Sequence, residues 1–398
     1  RYGDLTGTIG NDGTIDATSI TQDGDANAVG VGFGTGEDYD GEDSYGYGKV
    51  SGTLRNAGTV TATAISQGRE RAMGVREAMI EEDSEPGEDA AVRAGGVEAY
   101  GIVTGAVSRS GAIENTGAVV AEARTEAVAE AGRSAYAESN YADAVGIGTG
   151  PLDGALSNSG SVTADAAASA TADGVFAEAD GGEAWALGVG FGAAGGSFEN
   201  GGTLNASANS TAVANGVDEA DADADDAEAI GVAIASEYED QGSFGGKLDN
   251  SGSVQAVATA SARAAAEAGS AYAEAGYVDA IGVGIYAGVD GTLTNGGQLN
   301  ATAQSAATAS GSEAEASASQ AWAAGVVIAP EWRYASLVAS EAPVAFSGRL
   351  ENSGTIEASA VSTAEATAQA EGSAVAEGSY AAAYGIVSAA VDGKVSNT

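Results

Sequence analysis

The side chains best placed to do chemistry are carboxylates. The run Asp218-Glu219-Ala220-Asp221-Ala222-Asp223-Ala224-Asp225-Asp226 is the densest acidic stretch of the chain. In an extended backbone Glu219, Asp221, Asp223 and Asp225 fall on one face at about 7 Å intervals, because alternate residues of a strand share a side. Carboxylates so spaced could bridge Ca2+, a hard cation that takes several oxygen ligands. The run lacks the glycine and terminal glutamate of an EF-hand loop, and the chain lacks Gly-Gly-x-Gly-x-Asp repeats. The expectation is thus a diffuse Ca2+ role for these four residues, set against a plain solvated acidic face. Asp23-Gly24-Asp25-Ala26-Asn27 resembles the start of a calcium loop, with nothing suitable after it.

Other chemistry is excluded by composition. The chain has no Cys and no His, which removes disulfides, thiolate and imidazole metal sites, Ser-His-Asp triads and Cys-His dyads. Acidic pairs occur throughout, so no one pair singles out a glycosidase-like site. The expectation is a protein that is not an enzyme. Its 57 acids against 15 bases give a formal charge of −42. Nucleic-acid binding needs clustered Lys and Arg to displace phosphate counterions, so neither nucleic acid nor an anionic membrane surface is an expected partner. Nine of the bases lie between Lys49 and Arg133, and none lies from Ser134 to Gly246. No window is long and apolar enough for a spanning helix.

The elements that position these groups are set by a repeat. The motif apolar-x-Asn-small-Gly-x-apolar recurs at Asn11, Asn56, Asn115, Asn158, Asn200, Asn250, Asn295, Asn352 and Asn397. Its mean spacing is about 48 residues, the range of repeat architectures. Residues 1–398 read as a single elongated array of about eight repeats, ending in mid-repeat as a segment of something longer would. A second landmark is Ala-apolar-Gly-Val/Ile, as in Ala144-Val145-Gly146-Ile147 and Ala186-Leu187-Gly188-Val189. A third is a turn glycine at Gly132, Gly174, Gly216, Gly269, Gly311 and Gly372, which divides the repeat into three arms.

Within the arms Ala alternates with polar residues, as from Ala256 to Ala268. Ala favours helices, but a helix needs apolar residues three and four apart, and a period of two specifies strands. A core of Ala, Val and Ile must be thin, since small side chains fill little volume. The Asn column is expected to be a turn ladder, each amide bonding its neighbours above and below. Asn tolerates a left-handed backbone there, and the following Gly relieves the remaining steric limit.

The phrase Leu/Ile-x-Asn-Ser-Gly-x-Val/Ile, seen at Leu156 to Val162 and Leu350 to Ile356, resembles passenger segments of autotransporters and related large bacterial surface proteins. The resemblance implies a right-handed parallel β-helix, exposed at the cell surface or secreted. The expected fold is therefore an all-β, repetitive β-solenoid with an Ala-rich core. An antiparallel β-hairpin array is the alternative, and either two coils or one flattened coil could make up a repeat.

The expected function is a non-catalytic extracellular structural or adhesive protein, a stiff acidic rod able to assemble into a fibre or filament. Expected partners are other copies, cell surfaces or glycans. A polysaccharide-binding or polysaccharide-cleaving β-helix is the alternative. Ice binding needs a flat Thr array, and the outward positions read as too mixed and too acidic. Irregular segments at Glu37 to Gly48, Arg76 to Gly95 and Pro330 to Gly348, the last carrying Trp332, Arg333 and Tyr334, are candidate contact loops. Trp185 and Trp322 share a column read as facing outward, suggesting a covered surface.

Overall fold

The computed structural model describes residues 4–33, 48–72, 89–192, 195–234, 243–286, 288–328, 345–388 and 390–398. Among them there is no helix, and every strand ladder is parallel. This is a parallel β-solenoid, and the antiparallel hairpin alternative is excluded.

One coil corresponds to one repeat. In the coil around Asn158 a four-residue corner strand, Ala155–Asn158, leads to a long strand, Ser161–Asp173. A tip turn at Gly174 reverses the chain into a short return strand, Phe176–Asp180. A second bend at Gly181-Gly182 starts a third strand, Ala184–Gly192, which runs back toward the corner. The corner strands form a nine-stranded sheet, with each Asn aligned on the next from Asn11 to Asn397. At about 4.8 Å per rung the stack is about 40 Å high. A 13-residue long strand alone spans about 43 Å, so this segment is as broad as it is tall.

The cross-section is a wedge, and the side-chain volumes dictate it. Long, return and first-half third strands point only Ala, with an occasional Val or hydroxyl, into the space between two layers. Side chains this small let the layers close into a thin blade without voids. At the other end three strand directions meet and leave a wider space. Leu, Ile, Val and Phe fill it: Leu156 from the corner strand, Val162 from the start of the long strand, and Val189 and Phe191 from the third strand. Of the two arrangements left open, two coils per repeat or one flattened coil, the flattened single coil is what forms, with a bulkier head added.

Inward hydroxyls interrupt the Ala columns at one level. Ser210 Oγ donates to the Gly181 carbonyl at 2.9 Å, Ser305 Oγ to Ala275 at 3.2 Å, and Ser66 Oγ accepts from Gly95 N at 2.9 Å. They satisfy backbone groups that the bend between return and third strands takes out of the ladder.

The glycines of the Asn-x-Gly corners from Gly58 to Gly354 act by close approach. A Cβ on Gly160 would collide with the carbonyl oxygen of Gly117 one coil away, and Gly117, Gly202 and Gly252 repeat the relationship with their own predecessors. The left-handed backbone expected at the Asn-x-Gly corner does not occur: among described non-glycine residues only Asp23 has positive φ. Gly146 and its equivalents are skipped by the ladder, Val145 pairing with Leu187 and Ile147 with Val189. The pleat changes phase at this glycine without a shift of register, so Val145 points outward and Ile147 inward although only one residue separates them.

Candidate functional site

The outer face of the return strands gathers the acids. Ala220, Ala222 and Ala224 fill the blade, so Glu219, Asp221 and Asp223 of the strand Glu219–Ala224 must face out. Three of the four residues expected to share a face do so within one strand, and Asp225 follows just beyond its end. Stacking of coils adds what a linear reading misses. Glu138, Asp180, Asp223 and Glu274 are successive partners in one axial column, and Glu178 lies beside Asp221 in the next. Aligning the repeats on the landmark glycines Gly146, Gly188, Gly231 and Gly282 would have revealed the first of these columns.

Like charges on adjacent rungs repel, and partial burial deepens the effect. Asp223 is pushed up to about 7, first by burial and then by Asp225, Glu274, Asp180 and Asp221. Asp225 is raised to about 6 by burial, with Asp180, Glu183 and Asp226 adding to it. Burial leads the upward shifts of Asp221, Glu178 and Asp180 too, the last opposed by a hydrogen bond from Gly182 N. Arg93 Nη2 meets Glu138 Oε2 at 2.7 Å at one end of the column. From there to Glu274 the column has no base.

A second acidic level lies on the outer side of the third strands. Glu98, Asp143, Trp185, Glu228, Asp279 and Trp322 follow one another there. Asp143 is pushed up to about 7 by burial, then by Glu98 and Glu183. Trp185 separates Asp143 from Glu228 and so spaces like charges. Both Trp residues occupy outward pleat positions, but Trp322 is only 3% exposed, packed in an outer apolar cluster with Ile281, Ala324 and Val327. Its ring centroid lies 6.2 Å from that of Tyr384. Trp322 is thus covered within this chain and does not call for a second one.

Among the described residues no group of three carboxylates converges closely enough to hold a metal ion. Of Glu219, Asp221, Asp223 and Asp225, the three aspartates are all shifted upward, burial first and neighbouring carboxylates second. Asp25, from the other calcium-like run, accepts from Gly96 N at 2.9 Å. Most of the three irregular segments, including Glu37 to Tyr47, Pro86-Gly87 and Trp332 to Tyr334, lies outside the described residues. No described helix is long and apolar enough to cross a membrane.

Comparison of the chain with protein families, with curated proteins and with solved structures found no match.

Proposed function

We propose that this chain is a non-catalytic structural or adhesive module of an extracellular surface protein, a stiff acidic stack whose coils extend into a rod or fibre. The observation that carries the reading is the continuous ladder of Asn amides, buried from Asn56 to Asn352, which runs from Asn11 Nδ2 to Asn56 Oδ1 at 2.9 Å through Asn295 to Asn352 at 2.7 Å. Both amide hydrogens are used, the second on a backbone carbonyl of the next coil, as with Asn115 and Ser161 O at 3.2 Å. A ladder repeated without variation supports mechanical continuity along an axis, because each coil contributes the same interface to its neighbours. The acids on the outer face favour solubility in salt and cation association over recognition of anionic partners.

Incubation of the purified chain with a panel of surface polysaccharides tests this. Unchanged glycan length, together with binding to cells or stacking into ribbons under the electron microscope, is expected. Release of new reducing ends would overturn the reading in favour of a polysaccharide-cleaving β-helix.

A further inference from the structure

We propose that the outer face of the long-strand sheet is a docking surface for a second copy of this chain, two copies lying face to face across it. The inference rests on the structural-module reading and names that module's partner.

The distribution of charge carries it. The long strands starting at Thr203, Ser253 and Gln298 each offer seven outward positions through residues 215, 265 and 310. These twenty-one positions hold a single charge, Arg263. On the return strands of the same coils, six of nine outward positions are acidic. On these three coils the acids are segregated to one face and the opposite one is nearly neutral, whereas the long strands on either side carry outward Asp165, Asp173, Glu357 and Glu365. A chain carrying −42 repels its own copies wherever acids meet. The three long strands starting at Thr203, Ser253 and Gln298 form the part of the sheet on which two copies approach without that cost.

Size and chemistry agree. The three long strands from Thr203 to Ser310, about 43 Å long and about 14 Å across the stack, present about 600 Å2 per copy. Two copies would cover about 1,200 Å2, the lower end of the range for a specific, stable interface. The surface is rich in Ser, Thr, Asn and Gln, and it has in-register amide columns such as Asn205, Gln255 and Asn300. Flat sheets bearing stacked amides can interdigitate with a second sheet while their backbone bonds stay within each stack. No aromatic side chain lies on the twenty-one positions, which counts against a sugar-stacking surface.

Sedimentation velocity of the full chain across micromolar concentrations tests the pairing. A concentration-dependent dimer is expected. Thr211→Glu combined with Thr259→Glu should weaken it by about tenfold or more, through like charges brought to the centre of the face. Ser270→Glu, on the acidic face, should leave it unchanged. The chain has no cysteine, so Thr259→Cys alone can report geometry. Thr259 is central in the three-strand array and lies near any two-fold axis through it, so a short bis-maleimide should link two Thr259→Cys copies and fail with Ser270→Cys. A chain monomeric at every concentration overturns the proposal. So does a dimer sensitive to Ser270→Glu but not to the Thr211 and Thr259 pair, or a monomer that adsorbs to ice or insoluble polysaccharide through this face. Glycan cleavage would sink the structural-module reading while leaving the dimer result standing, so the two failures are separable.

Discussion

Asn158 donates from Nδ2 to Oδ1 of Asn200 at 2.8 Å, across forty-two residues of sequence. Asn200 passes the same bond to Asn250. Asn200→Ala therefore leaves a buried donor on one side and a buried acceptor on the other. Each orphaned group costs about 1–3 kcal/mol, so urea unfolding should show a loss of about 2–5 kcal/mol. Asn200→Asp keeps the shape but, ionised, cannot donate to Asn250. Its loss should be larger at neutral pH than in mild acid, where the protonated carboxyl donates again.

Two glycines separate steric need from turn flexibility. Gly160→Ala puts a methyl group into the carbonyl of Gly117, a backbone atom that cannot swing away. Overpacking of this kind should cost about 1–3 kcal/mol or more, read as a lower melting temperature. At Gly132 a Cβ meets nothing within 4 Å. Gly132→Ala should be neutral, or stabilise by about 0.4–1 kcal/mol by restricting the unfolded chain.

Acid should tighten the fold. Asp143 and Asp223 titrate near 7 and Asp225 near 6, above the ordinary 3.8. The folded chain thus holds protons at a pH where the unfolded chain has released them. Stability from these groups is fully present below about pH 4 and is lost as pH rises through about 6 to 7. The melting temperature should be higher near pH 5 than near pH 8. Asp223→Asn should raise the value at pH 8 and flatten the dependence, and a curve that instead rises with pH would contradict the stacked-carboxylate account.

Blade and head should respond oppositely to side-chain size. Leu204 is fully buried in the head, and Leu204→Ala should cost about 2–5 kcal/mol through the cavity left behind. Ala212, on the same strand, lies in the blade with no exposure. Ala212→Leu has no space to enter and should cost about 1–3 kcal/mol by forcing the layers apart. Chemical denaturation of the two variants checks the contrast.

Much of this wedge can be read from the residues. Alternation from Ala256 to Ala268 gives strands and their inward side, and the Asn residues give the rung. The number of coils per repeat cannot be read, because Gly174 signals a turn without saying whether the chain reverses onto its own layer. Strict alternation also fails at Gly146, where Val145 and Ile147 take opposite sides. Glu219 to Asp223 are legible as a local face. Their partners Asp180 and Glu274 are about forty to fifty residues away in sequence and become neighbours only through coil register. Trp322 shows a further limit. Its pleat phase is correct, but burial on the outer side depends on what else covers the third sheet.

Successive corner asparagines are separated by as few as 42 residues and as many as 59, yet all align in one sheet. For a flexible chain, lengthening a closed loop over that range costs only about 0.3 kcal/mol of closure entropy. Such a scaffold can accept new sequence between rungs almost without thermodynamic resistance, so natural variation and deliberate grafting alike can change what the array displays while the register beneath it stays the same.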